Sequence, residues 1–274
     1  MSNFALIGHP VGHSFSKRMF DAAFGGRHSY ELIDAGSLDG VRQLVVTHRL
    51  SGFNVTVPYK QDILSILDRL TPEARNVGAV NCVRVEADGS LTGHNTDSAA
   101  FFETIVAISH LNNQAIKQSS NQTAALILGT GGAARAVAAA LCSLGIEFRF
   151  VSRTPDDKKC PRKTISYSAA YKAVSTVRLI VNATPVGMIP ECDATPWGCP
   201  EMLSGRHFVY DLVYNPSPTR FMREAAAAGA TVKDGLEMLR LQAELSWRFW
   251  GLGGFQRTDV SSQPPVISAP ATTR

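Results

Sequence analysis

The sequence predicts an α/β protein built as two successive units. Short apolar runs alternate with amphipathic stretches, and a glycine-rich turn links such a run to a helical segment near residue 129. Between the halves, at 109–123, composition shifts to Asn, Gln and Ser without periodicity, as in an exposed connection. The chain of 274 residues is long enough for two modest cores.

In the first unit, Phe4–Gly8 reads as a strand, Ser16–Phe24 as a helix and His28–Ile33 as a strand. A helix rich in Leu and Val is expected over Leu38–Arg49, then a strand over Gly52–Val57. Val80–Glu86 and Ser90–His94 flank Ala87-Asp88-Gly89, where Asp-Gly is a hairpin signal. A helix through Phe101–Ile108 closes the unit. The second unit reads strand Ala124–Leu128, helix Ala133–Leu144, and strands Phe148–Ser152, Leu179–Asn182 and Phe208–Leu212. Helix Thr219–Ala228 and a short strand at Thr231–Lys233 follow. In Leu236–Leu252, residues Leu236, Leu239, Leu241, Leu245 and Phe249 recur at near-helical spacing. From Gln256 the tail is rich in Ser, Pro and Thr and is expected to be disordered.

The net charge of +4 comes with no block of Lys and Arg and no aromatic-basic array, so a nucleic-acid partner is not expected. Apolar runs are short, and neither a signal peptide nor a membrane span is read, which makes the cytoplasm the default. Cys82, Cys142, Cys160, Cys192 and Cys199 form no CxxC pair and read as reduced thiols. No metal site is expected. His9 and His13 are four apart, but Pro10 and Gly12 between them argue against a helical ligand pair.

Leu126-Ile127-Leu128-Gly129-Thr130-Gly131-Gly132-Ala133-Ala134 fits G-x-G-x-x-G/A between a strand and a helix, the context that makes it a dinucleotide fingerprint. Gly129 permits the tight turn, Gly131 close approach to a pyrophosphate, and Ala134 close helix packing. Gly132 and Ala133 would present N–H groups at the positive end of the helix dipole. An NAD site would normally end the next strand with Asp or Glu. This chain instead has Ser152-Arg153-Thr154, followed by Lys158. A guanidinium there suits a 2′-phosphate, so NADP is the expected cofactor, with a solvated surface arginine as the alternative.

Three polar motifs stand at strand ends in the first unit. They are Gly8-His9-Pro10-Val11-Gly12-His13-Ser14-Phe15-Ser16, Asn54-Val55-Thr56-Val57-Pro58-Tyr59-Lys60, and Asn95-Thr96-Asp97 with Asn81 on the facing hairpin arm. Hydroxyls, amides, one ammonium and one carboxylate suit a small polyhydroxylated acid. Taken singly, Ser14 or Ser16 reads equally as a helix cap, Asn81 and Asn95 as turn residues, Asp97 as an N-cap and Lys60 as a solvated lysine.

In combination these motifs resemble the shikimate dehydrogenase family from about residue 4 to 252. The resemblance extends through Asn182-Ala183-Thr184-Pro185-Val186-Gly187-Met188, Asp211-Leu212-Val213-Tyr214-Asn215-Pro216 and Gly235-Leu236-Glu237-Met238-Leu239, with Gln242 beyond. It implies an N-terminal α/β substrate domain at 1–108, completed by 236–255 as the last helix returns to it, and a Rossmann-type NADP domain at 109–235. It further implies Lys60 and Asp97 as catalytic, and Ser14, Ser16, Thr56, Asn81, Tyr214 and Gln242 beside Asp97 as holders of shikimate. Gly129, Gly131, Gly132, Ala133, Ser152, Arg153, Thr154, Thr184 and Gly235 would serve the cofactor. The expected partners are small molecules, with the chain a monomer or homodimer. Lys17, Phe20-Asp21, Ala100 and Ser152 depart from the family's usual Pro, His-Asn, Gly and Asn.

Overall fold

The computed structural model describes residues 1–12, 14–111 and 125–255. The first sheet-forming region runs β1 (Asn3–Gly8), α1 (Ser16–Phe24), β2 (Ser29–Asp34), α2 (Val41–Thr47) and β3 (Leu50–Val55). It continues through β4 (Arg69–Leu70), α3 (Pro72–Val77), β5 (Cys82–Val85) and β6 (Leu91–His94) into α4 (Asp97–Leu111). The second comprises β7 (Ala125–Leu128), α5 (Gly132–Ser143), β8 (Phe148–Ser152), β9 (Thr164–Ser166) and α6 (Tyr167–Ala173). It ends with β10 (Leu179–Asn182), β11 (Phe208–Asp211), α7 (Arg220–Ala227), β12 (Thr231–Lys233) and α8 (Leu236–Phe249).

Both sheets are six-stranded. The first has the order β2-β1-β3-β5-β6-β4, with β2, β1 and β3 parallel and β5 antiparallel to β3 and β6. The second, β12-β11-β10-β7-β8-β9, is parallel throughout. Each reverses its winding once in the parallel part, at β1 in the first sheet and between β7 and β10 in the second. Such switch points open a crevice outside the carboxyl ends of the strands.

The last helix crosses back. Ala243, Trp247 and Trp250 pack in one core with Phe4, Phe20, Phe24 and Tyr30 of the first sheet region. Met238, at the other end of α8, joins Phe101 and Ile105 of α4 and Val137 and Leu141 of α5 in a core beneath the second sheet. Phe20 is fully buried and lies edge-on to Trp247.

Several elements differ from the sequence reading. The helix expected over Leu38–Arg49 is confined to Val41–Thr47, because Gly40 takes φ +78° before it and Arg49 φ +50° after it. The strand expected over Gly52–Val57 starts and ends two residues earlier, since Thr56–Lys60 turns away toward the crevice. Ser109–Leu111, read as part of the connection, continue α4, while 112–123 and the tail from 256 lie outside the described residues. The short elements β4, α3, β9 and α6 were not anticipated, having too few residues to show a period.

Candidate active site

The loops leaving β1, β3, β7, β10 and β11 meet the start of α4 and one face of α8 around a cavity of about 200 Å³. Ser14, Ser16, Thr56, Lys60, Asn81, Asp97, Ala133, Thr184, Tyr214, Gly235 and Gln242 all line it. The fold thus brings together every substrate and catalytic candidate, with part of the cofactor set.

The centre is an ion pair. Lys60 Nζ donates to Asp97 Oδ2 at 2.7 Å, and the two side chains are only 16% and 6% exposed. Asp97 is not consumed as a helix cap, because the Asn95 carboxamide oxygen accepts from the Ser98 N–H at 3.0 Å. That leaves the Asp97 carboxylate for Lys60 and for Asn81, whose Nδ2 donates to Oδ1 at 2.9 Å. Asn81 is fixed in turn by its Oδ1, which accepts from the Thr96 N–H at 2.8 Å. Its Nδ2 also approaches Thr96 Oγ1 at 2.8 Å and Gln242 Oε1 at 3.3 Å. Lys60 itself is held by its carbonyl, which accepts from the Val80 N–H.

Ser14 and Ser16 stand at the entrance to α1. The Ser14 hydroxyl bonds the Ser16 N–H at 3.2 Å and the Ser16 hydroxyl at 3.1 Å, while the N-cap position is Phe15, with no side-chain cap. Opposite them, Tyr214 reaches over from the loop after β11, with its ring 5.2 Å from that of Phe15. Burial raises the Tyr214 phenol above its ordinary value, partly offset by its hydrogen bond with Ser14.

Asp211, fully buried at the end of β11, anchors the second wall. It accepts from Asn182 at 2.8 Å, the Val213 N–H at 3.0 Å and Thr219 at 2.7 Å. Burial nevertheless pushes its carboxyl up to about 6. Asn182 passes the order on to Thr184, accepting from its N–H and hydroxyl at 3.0 and 2.6 Å.

The glycine turn fits a dinucleotide. Gly129 adopts φ +102°, which only glycine takes without strain, and packs against Thr184 across the switch point. The N-terminus of the twelve-residue α5 carries no side-chain cap, so its first N–H groups remain available to a phosphate. A Cβ on Gly132 would come 2.6 Å from Lys60 Cβ, so the glycine turn and Lys60 are in direct contact. Gly129, Gly131, Gly132 and the Ser152-Arg153-Thr154 turn do not line the cavity. Arg153 and Thr154 are exposed beyond the end of β8, with Ser152 Oγ accepting from the Thr154 N–H at 3.1 Å. Among the described residues no cluster of His, Cys, Asp or Glu could hold a metal ion, and no helix is long and apolar enough to cross a membrane.

Sequence reasoning did not single out Asn54, Asp211, Asn182 or Ser246 as site residues. The first three lie inside the quoted motifs, which was the available signal. Ser246 carried none beyond its place one helical turn after Gln242.

Residues 6–83 match the model of the shikimate dehydrogenase substrate binding domain. A curated shikimate dehydrogenase (NADP(+)) of Salinibacter ruber is 38% identical, covering 93% of this chain and 94% of its own length. The crystal structure of shikimate 5-dehydrogenase from Thermus thermophilus, in complex with NADP(H) and shikimate, superposes with a TM-score of 0.76 at 38% identity. That alignment covers 92% of this chain and 94% of the other. Quinate dehydrogenase from Corynebacterium glutamicum in complex with NAD gives a TM-score of 0.74 at 27% identity, covering 92% and 94%.

Proposed function

Since this chain belongs to the shikimate dehydrogenase family, we propose that it catalyses the reversible NADPH-dependent reduction of 3-dehydroshikimate to shikimate, a step of aromatic amino-acid biosynthesis. The observation that carries the reading is the 2.7 Å Lys60–Asp97 pair, set in a cavity of hydroxyls and amides that touches the cofactor turn. In this proposal the first sheet and α8 bind the substrate, and the second sheet binds NADP. The enzyme works in the cytoplasm, as a monomer or homodimer, with small molecules as partners.

Gly131, Gly132 and Ala133 would hold the pyrophosphate through backbone N–H groups, and Ser152, Arg153 and Thr154 the 2′-phosphate. Gly129, Thr184 and Gly235 would shape the crevice between them. The nicotinamide supplies the hydride chemistry when bound. The residues of the chain manage the proton and the charge. During reduction, negative charge grows on the ketone oxygen, where the Lys60 ammonium stabilises it and gives up a proton. In the reverse direction the neutral Lys60 amine takes the hydroxyl proton. Asp97 orients Lys60 and accepts from a substrate hydroxyl. Ser14, Ser16, Thr56, Asn81, Tyr214 and Gln242 hold the ring's carboxylate and remaining hydroxyls, fixing the reacting carbon in place.

Turnover of shikimate and quinate, each with NADP and with NAD, tests this reading. The shikimate–NADP pair is expected to give the highest kcat/KM. A higher value with quinate or NAD would move the chain toward the activity named for the Corynebacterium protein.

A further inference from the structure

Gln242 reaches the site from a helix whose attachment to the first sheet is largely apolar, through Trp247 and Trp250 against Phe4, Phe20, Phe24 and Tyr30. Apolar packing of this kind is non-directional and tolerates small rotations of a helix about its axis. At its C-terminal end two bonds already limit that freedom, Trp250 Nε1 donating to the Val83 carbonyl at 2.9 Å and Arg84 to the Phe249 carbonyl at 3.2 Å. One turn from Gln242 a further polar contact limits it there. Ser246, fully buried and one turn beyond Gln242 on the same face of α8, accepts from Asn54 Nδ2 at 2.9 Å. It donates back to the Gln242 carbonyl at 2.9 Å.

The surrounding bonds fix the direction of the Asn54 and Ser246 protons. Asn54 Oδ1 accepts from the Tyr30 hydroxyl at 2.9 Å, and the second proton of its amide goes to the Asn81 carbonyl at 3.0 Å. The Ser246 proton is spent on Gln242, so the Thr96 hydroxyl 3.3 Å away donates to Ser246 while itself accepting from Asn81. The two protons of the Asn81 amide thus face three acceptors, Thr96 Oγ1 at 2.8 Å, Asp97 Oδ1 at 2.9 Å and Gln242 Oε1 at 3.3 Å. One hydroxyl thereby joins β3, the start of α4 and α8 directly behind the proposed substrate ligands, and it does not itself line the cavity.

We propose that Ser246 is a positioning residue for substrate binding, setting the rotation of α8 so that Gln242 meets the substrate beside Asn81. The inference rests on the substrate assignment above. Replacing Ser246 by Ala leaves a buried amide proton of Asn54 and the Thr96 hydroxyl without their acceptor, and removes the buried contact that limits the helix's rotation one turn from Gln242.

The test is calorimetric titration of shikimate into wild type, Ser246→Ala, Gln242→Ala and the double variant, with KM for NADP measured in parallel. Ser246→Ala is expected to weaken shikimate about tenfold, the size of one broken buried hydrogen bond, and to change KM for NADP by less than about twofold. In the Gln242→Ala background the same substitution should change shikimate affinity by less than about twofold, because its effect passes through Gln242. Equal losses in both backgrounds, or equal losses for shikimate and NADP, overturn the proposal. Should Ser246→Ala not fold, Ser246→Cys keeps the shape with a weaker acceptor. It is expected to show a selective loss of about threefold, and wild-type affinity in that variant also overturns the proposal. Wild-type protein that binds no shikimate overturns the substrate assignment and this inference with it. Wild-type binding left unchanged by Ser246→Ala overturns the inference alone.

Discussion

The two walls of the cleft present opposite kinds of polar group. On the side of the first sheet, buried side chains are tied to one another: Lys60 to Asp97, Asp97 to Asn81, Asn81 to Thr96 and Gln242. On the glycine-turn side the groups offered are backbone N–H donors at the start of α5 and an exposed guanidinium, Arg153. A buried network is costly to break, since each missing partner strands another polar group in a low dielectric. Backbone donors survive any side-chain replacement that fits, and an exposed charge can be exchanged with little effect on the fold. Chemistry should therefore be brittle on the first wall, and cofactor preference adjustable on the second.

The largest effect is expected from Lys60→Ala. Removing the proposed proton donor should lower kcat by a factor of at least about 10², with a smaller change in shikimate affinity. Steady-state kinetics together with titration of shikimate would show it, and near-normal kcat would remove Lys60 from the chemistry. The contrast between the walls breaks down at one point, where Gly132 meets Lys60. A methyl group there cannot be accommodated unless the lysine's backbone or the start of α5 shifts. Gly132→Ala is expected to reduce kcat about tenfold or more and to raise KM for NADP as well, since both walls move. A rise in KM for NADP with unchanged kcat would show that the walls are independent after all.

How much of this was legible in the sequence follows the same division. The glycine turn was readable because its demands are local: a positive φ at Gly129 and the start of a helix three residues later are written in one short stretch. Lys60 and Asp97 were readable as a pair only through the ordered motifs around them. Nothing in a 37-residue separation states that Nζ and Oδ2 lie 2.7 Å apart. Asn54 with Ser246 was not legible, because their contact spans 192 positions and depends on how α8 returns across the first sheet. Asn95 reversed a reading. By capping α4 it leaves Asp97 free, a choice between neighbouring residues that propensity alone does not make. The helix over Leu38–Arg49 came out short because its apolar residues fix the buried face, while Gly40 and Arg49 fix the ends.

On the cofactor wall, Arg153→Ala should raise KM for NADP by about tenfold while changing KM for NAD less than about twofold, as expected for a lost charge-assisted bond to a 2′-phosphate. Comparing both cofactors with the same variant decides it, and equal losses would remove Arg153 from 2′-phosphate recognition.

The smallest effect needs no mutation. Arg153 is exposed, so its attraction for a phosphate runs partly through solvent and is screened over a Debye length of about 8 Å at physiological ionic strength. The Lys60–Asp97 pair is nearly enclosed, with side chains 16% and 6% exposed, and salt reaches it far less. Raising ionic strength from low to about 0.5 M should therefore increase KM for NADP by about two- to threefold while KM for shikimate changes less. In Arg153→Ala the salt dependence of KM for NADP should flatten. Equal sensitivity for both substrates would mean that the substrate carboxylate is also held through solvent-facing charge, and the contrast between the two walls would then lie in geometry alone.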